Sequence, residues 1–365
     1  MLAFQRLARP ATGISLRLMQ QMYCAMALPK MTYVVDVWYT PTHRKEGAKK
    51  MSGSVGITRK LTSVQCMASL AIMGALHSTP TNLLDLHAGL WPVHILLQWV
   101  CHWAAMRIAS LLDAHPLHNI YQTRARRYIE VHRAPLHELA AMYGIVPGRV
   151  EVLDPVCTLP PQEIKATITL AGSNDEHDEE AVVEDGEVQL FSDGSGLDGS
   201  IGAVAVMYND GREVKVLRYC LGTLTDHTVF EAEATGVLLA LHMLWTERNV
   251  KKATIWLDNQ AVLGALTTRK PKPGQNIIDE VISQVEYVWQ RATNPAFRLE
   301  IGWVKGHSGV EGNERVDMEA KEASRGRTSR AQHLPAFLIN GALLRSLTAQ
   351  RQAFNTSLQD RWRGE

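Results

Sequence analysis

Cysteine is scarce in this sequence of 365 residues, long apolar runs are absent, and net charge is close to zero. The five cysteines, Cys24, Cys66, Cys101, Cys157 and Cys220, are widely scattered with no C-x-x-C pair. Neither a disulfide framework nor a structural zinc site is indicated, and a reducing compartment fits best. No uninterrupted apolar run reaches the ~20 residues that span a bilayer. The longest candidate, Trp91 to Leu112, is broken by His94, His102 and Arg107 and reads as a buried helix. Internal repeats are also missing. A net charge of +1, taken alone, argues against a strongly basic nucleic-acid binder.

What is present overturns that last point. The charge is segregated: residues 1–150 hold 16 Lys+Arg against 6 Asp+Glu, residues 151–190 hold 1 against 11, and residues 191–365 hold 21 against 20. A basic first portion attracts phosphate backbones, and an acidic connector is usually a solvated spacer. The hydrophobic share of 46% is that of a folded chain, and the length suggests two or three domains. The first 35 residues carry Arg6, Arg9, Arg17 and Lys30 and no acid, a composition shared with transit peptides. Their apolar spacing (Leu16, Leu18, Met19, Met22, Met26) fits an amphipathic helix better.

Residues 1–145 read as a mostly helical basic region, with helices expected over 14–27, 57–75 and 91–112 and a basic loop over 41–50. Residues 146–187 read as an acidic linker. From residue 188 the apolar period switches to two. Strands are expected over Val188–Ser192, Ile201–Tyr208 and Glu213–Leu221, the last two joined by the turn signal Asn209-Asp-Gly211. A long helix follows over Val229–Glu247, then a buried strand Ala253–Leu257 and helices 260–267 and 275–291. A strand Phe297–Val304 and a helix Glu311–Ser324 complete the pattern. This order implies an α/β fold with a mixed five-stranded sheet and flanking helices over residues 188–325. The tail, 326–365, offers one amphipathic stretch, Phe337–Phe354.

Four acids stand where a structural acid is unexpected. Asp193 follows an apolar strand, Glu233 lies in an apolar helix, Asp258 ends the most buried strand, and Asp317 lies on the final helix beside Val316 and Met318. Each alone has an ordinary explanation as a turn acid, a helix-dipole partner or part of a solvated face. Together they suggest a site at the carboxy-terminal ends of adjacent strands, where open α/β sheets build their crevices. Clustered carboxylates raise one another's pKa and need cations to coexist. Oxygen ligands without His or Cys select Mg²⁺, or Mn²⁺, over zinc.

The ordered set Asp193-Gly-Ser, Glu233, Asp258-Asn-Gln260, Gly306-His-Ser-Gly and Gly312-Asn-Glu-Arg-Val-Asp317 resembles type 1 ribonuclease H over roughly residues 187–325. The resemblance implies a ribonuclease H-like fold and cleavage of the RNA strand of an RNA–DNA hybrid. It implies Asp193, Glu233, Asp258 and Asp317 as the acids that hold two Mg²⁺ ions, and His307 on a loop assisting proton movement or product departure. Ser195, Asn259, Gln260 and Asn313 are then candidates for substrate contact. Two departures stand out. Thr228-Val-Phe-Glu-Ala-Glu233 lacks the Asn pair that many cellular members place before the helical Glu, and it leaves Glu231 as an alternative metal acid. The long basic insertion of some members is reduced to Arg269, Lys270 and Lys272.

Residues ~15–140 resemble the segment after the polymerase palm in reverse transcriptases of fungal non-LTR retrotransposons. The wording that carries this is Met19-x-x-Met22-Tyr, Ala27-Leu-Pro-Lys-Met-Thr-Tyr33, Asp36-Val-Trp-Tyr-Thr-Pro41 and Gly74-Ala-Leu-His-Ser-Thr-Pro-Thr81. No Y-x-D-D occurs, so the polymerase catalytic residues are not in this chain, which reads as the rear part of a longer element protein. The rival readings are a catalytically silent ribonuclease H fold that binds nucleic acid, another nuclease of the same superfold, and a pseudogene product.

Overall fold

The computed structural model describes residues 14–44, 47, 49–126, 135–154, 164–170, 187–268, 270–306 and 309–364. The chain divides into two compact units, one formed by residues 1–148 with 353–365 and the other by residues 149–352.

The first unit is helical, as its apolar spacing suggests. Leu16–Met22 runs into a π-helical turn, Tyr23–Ala27, and longer helices cover Val55–Met73 and Val93–Ala109. Met19, Tyr23, Ala68, Ile72, Ala88 and Leu90 form a core cluster. Within it the buried Gln65 bridges the Tyr23 hydroxyl and the Trp91 carbonyl. His102 stacks on Phe354 with ring centroids 3.9 Å apart. Part of the stretch expected as a basic loop pairs instead, His43–Arg44 against Met51–Ser52.

The second unit is built on a sheet of six strands: β1 (Thr167–Thr169), β2 (Glu187–Leu197), β3 (Ser200–Asn209), β4 (Arg212–Thr223), β5 (Lys252–Leu257) and β6 (Arg298–Trp303). Their spatial order is β1-β6-β5-β2-β3-β4. The β2-β3-β4 meander is antiparallel, and β5, β6 and β1 add in parallel. The hairpin turn places Asp210 and Gly211 at φ 49° and 72°, the pair of positive values a two-residue turn of this kind requires. Helices α1 (Val229–Thr246), α2 (Gln260–Thr268), α3 (Gln275–Arg291) and α4 (Glu311–Ser324) pack on the sheet. Helix α1 is apolar nearly all round because it is buried nearly all round, from Ala232 to Leu244.

Two expectations need correction. The sheet has six strands, not five: Thr167-Ile-Thr169 pairs with Glu300-Ile-Gly302 on the sheet edge. Three β-branched residues suffice for that short edge, and the acids surrounding them in the sequence masked it. The tail stretch Phe337–Phe354 is not one helix; a turn at Ala336–Ile339 is separated from a helix at Leu347–Arg363. The intervening backbone bonds elsewhere, with Ser346 N donating to the Asp226 carbonyl and Arg345 N to that of Arg149.

Candidate active site

Strand register brings the acids together. Strand β2 continues past Asp193 to Leu197 because antiparallel β3 accompanies it that far, pairing Asp193 with Val204. On its other side the parallel pairing with β5 stops at Phe191–Trp256. Two residues further along both strands stand Asp193 and Asp258, side by side where β5 has ended. Trp303 donates its indole N–H to the Asp258 carbonyl at 3.0 Å and fixes that strand end. Gly306 lies against the Asp258 carboxylate, so near that a side chain there would meet Oδ2 at 2.8 Å.

Helix α1 supplies the third acid. Thr228 accepts from Glu231 N, and Glu231 Oε2 accepts from Thr228 N at 2.7 Å, a capping box that starts the helix at a fixed place. Glu233 follows half a turn later. Gly194 allows this approach, since any Cβ there would collide with the Glu233 backbone nitrogen. Asp193, Glu233 and Asp258 thereby offer carboxylate oxygens all within 4.8 Å of one another. Of the two helical glutamates, Glu231 caps the helix and Glu233 faces the aspartates.

The electrostatics are those of a crowded, partly dehydrated group of like charges. Burial and then the neighbouring Asp193 and Asp258 push Glu233 up to about 10. Burial and Asp258 push Asp193 up to about 6, against the opposing pull of Gly194 N, which donates to Asp193 Oδ1 at 2.7 Å. Glu233 Oε2 is buried and has no hydrogen-bond partner among the described residues. Such an atom is costly unless something occupies its lone pairs.

The other expected residues fall at varying distance from this group. Asp317, half-buried on α4, lies outside the tight cluster and accepts from Lys321 Nζ at 2.7 Å, although its charge still acts on Asp193. Lys321 is absent from the sequence expectations; its place four residues after an acid was the available signal. Asn259 Oδ1 caps α2 by accepting from Ala261 N at 2.9 Å, and its side chain also interacts with Glu233. Gln260 is exposed at the first position of that helix, and Ser195 is half-buried with its carbonyl accepting from Ser324 Oγ. Asn313 is buried in the first turn of α4. His307 lies outside the described residues.

The sequence model for "RNase H" matches residues 185–325. A Ribonuclease H of Acidovorax sp. (strain JS42) is 30% identical over 146 residues, which is 37% of this chain and 93% of that protein. The chain belongs to the ribonuclease H family. Among solved structures, RNase H1 from the halophilic archaeon Halobacterium salinarum NRC-1 is similar at 19% identity over 39% of this chain and 99% of that one (TM-score 0.31). The N-terminal RNase H domain of a Mycobacterium tuberculosis protein is similar at 18% identity over 38% and 98% (TM-score 0.30).

Ribonuclease H enzymes generally use divalent metal ions, and the donor set of this ribonuclease H domain fits such an ion. The converging atoms are hard carboxylate oxygens, one of them is buried without a partner, and no thiol or imidazole joins them among the described residues.

Proposed function

We propose that this chain is a metal-dependent endonuclease that hydrolyses the RNA strand of RNA–DNA hybrids. The single observation that carries the reading is the convergence of Asp193, Glu233 and Asp258 with Glu233 Oε2 left unpartnered. Asp193, Glu233 and Asp258 hold the metal, with Asp317 as the fourth acid on the side where Lys321 now engages it. When bound, a pair of Mg²⁺ or Mn²⁺ ions supplies an activated water and stabilises the leaving oxygen of the phosphodiester. Glu233 must then give up the proton that burial and its neighbours favour, so metal loading releases a proton. Asn259, fixed as the cap of α2, orients the Glu233 carboxylate. In this reading His307 assists proton movement or product departure, and Ser195, Gln260 and Asn313 contact the hybrid. Strand choice comes from duplex shape and the 2′-hydroxyl, not from base sequence.

The wording of residues ~15–140 supports placing the chain in a retrotransposon-derived protein. The substrate claim is tested by offering the full chain, with Mg²⁺, an RNA–DNA hybrid, duplex DNA and duplex RNA of one sequence. Cleavage of the RNA strand of the hybrid alone is expected. Preferential cutting of duplex DNA makes the chain another nuclease of the same superfold, and tight hybrid binding without any cutting makes it a binding module.

A further inference from the structure

A second buried acid, Glu151, lies outside the residues matched by the ribonuclease H model, in a stretch that the sequence presents as linker. It is 1% exposed, and its carboxylate accepts from Gly274 N at 2.6 Å, Leu347 N at 2.6 Å and Ser346 Oγ at 3.4 Å. Three separate segments meet there: the start of the unit, the loop that opens α3, and the C-terminal segment 345–352. The C-terminal segment is tied further to the loop before α1. Arg345 Nε lies 3.1 Å from Asp226 Oδ1, and Gln350 Nε2 donates to the Thr225 carbonyl at 2.8 Å and to Asp226 Oδ1 at 2.9 Å.

These ties shape a groove of about 690 Å³. One side is formed by Thr228, at the start of the helix that carries Glu233, and by α2, which begins two residues after Asp258. Lys270, Lys272 and Asp279 line the groove, as does Gln275, whose buried Oε1 has no partner among the described residues. Thr348 and Gln352 of the C-terminal segment, both exposed, also line it. A groove lined by the helix that follows Asp258 and by the cap of the helix that carries Glu233, with two lysines against the single acid Asp279, suits an anionic strand.

Resting on the hybrid-cleaving reading, we infer that the C-terminal segment 345–352 is the outer wall of the substrate groove and that Glu151 is the positioning residue that holds this wall. Glu151 does not touch substrate; it sets the separation between the α3 loop and the wall by accepting backbone N–H groups from both. Glutamine at this position turns one acceptor into an N–H donor facing another N–H, so it loosens one tie while keeping the volume.

The experiment uses the full chain in four forms: wild type, Thr348→Glu, Thr348→Lys and Glu151→Gln. Thr348 is exposed in the first turn of its helix, where an acid is tolerated or favoured, so Thr348→Glu folds. Affinity for a fluorescent RNA–DNA hybrid is measured with KM and kcat. Thr348→Glu is expected to weaken binding and raise KM about fivefold to tenfold at low salt, Thr348→Lys to act oppositely, and both effects to fade as salt rises. Glu151→Gln is expected to raise KM severalfold with kcat within about twofold, a split that a merely structural loss would not give. Unchanged affinity in both Thr348 variants overturns the wall, and equal loss in kcat and KM for Glu151→Gln overturns the positioning role. Binding without cleavage by wild type overturns the enzymatic reading while the affinities still decide the wall; no binding by wild type overturns both.

Discussion

Glu231 and Glu233 stand two residues apart on one buried helix and meet opposite fates. At the Glu231 end, acids are supplied with donors: Thr228 N and Oγ1 for Glu231, and the N–H groups of Gly274 and Leu347 for Glu151. At the Glu233 end, three carboxylates face one another and Oε2 of Glu233 has no partner among the described residues. A buried acid that is fully hydrogen-bonded holds chain segments in place. A buried group of acids short of donors is held in place by the fold and waits for a cation. Substitution should therefore act on stability at one end and on chemistry at the other.

The largest effect is expected from Asp258→Asn. It removes a metal-binding charge while keeping the side-chain shape, and should lower hybrid cleavage by about a thousandfold or more with no loss of melting temperature. Normal cleavage by that variant, measured under single turnover, breaks the functional half of the comparison. Next is Glu151→Ala, which leaves two buried N–H groups unpaired and should destabilise the unit by about 2–4 kcal/mol in urea unfolding. A change under about 0.5 kcal/mol would show that the donor-rich end is not structural.

Smaller and opposite in sign is Glu233→Gln in chelator. Replacing a carboxyl that the crowded site forces to stay protonated should raise the melting temperature by roughly 2–4 °C, or about 1 kcal/mol. Its pH dependence sharpens the contrast. Unfolded, Glu233 releases its proton near 4.5, whereas in the fold it holds it up to about 10. The metal-free folded state binds the extra proton across that interval, so stability falls as pH rises through it. The advantage of Glu233→Gln over wild type should accordingly widen between about pH 5 and pH 8, and a constant gap contradicts the crowded-acid account. The smallest effect expected is that of Lys321→Gln, which frees Asp317 and should lower the Mg²⁺ concentration for half-maximal stabilisation by about twofold or threefold.

Much of this was legible in the residues. The switch from helical to alternating apolar period marked the sheet, and the Asn209-Asp-Gly211 turn fixed its first register. Apolar strands ending in acids pointed to Asp193 and Asp258. What the residues did not show depends on distant pairing. Thr167–Thr169 is a strand only because the edge of β6 is open to it, and nothing in a run of three residues signals that. Glu231 and Glu233 differ by which backbone groups surround them, which spacing alone leaves undecided. Glu151 resembled one more linker acid, since its donors come from residues more than a hundred positions away. The Asp317–Lys321 contact is local and was readable, but the fourth acid's separation from the other three was not.

The most direct test of the central claim is cleavage of a labelled RNA–DNA hybrid by the full chain, with Mg²⁺ and with chelator, beside Asp258→Asn. The account predicts magnesium-dependent cutting of the RNA strand by wild type, none in chelator, and almost none by the variant. Wild-type cleavage that persists in chelator, or an intact RNA strand at every Mg²⁺ and protein concentration, would contradict it.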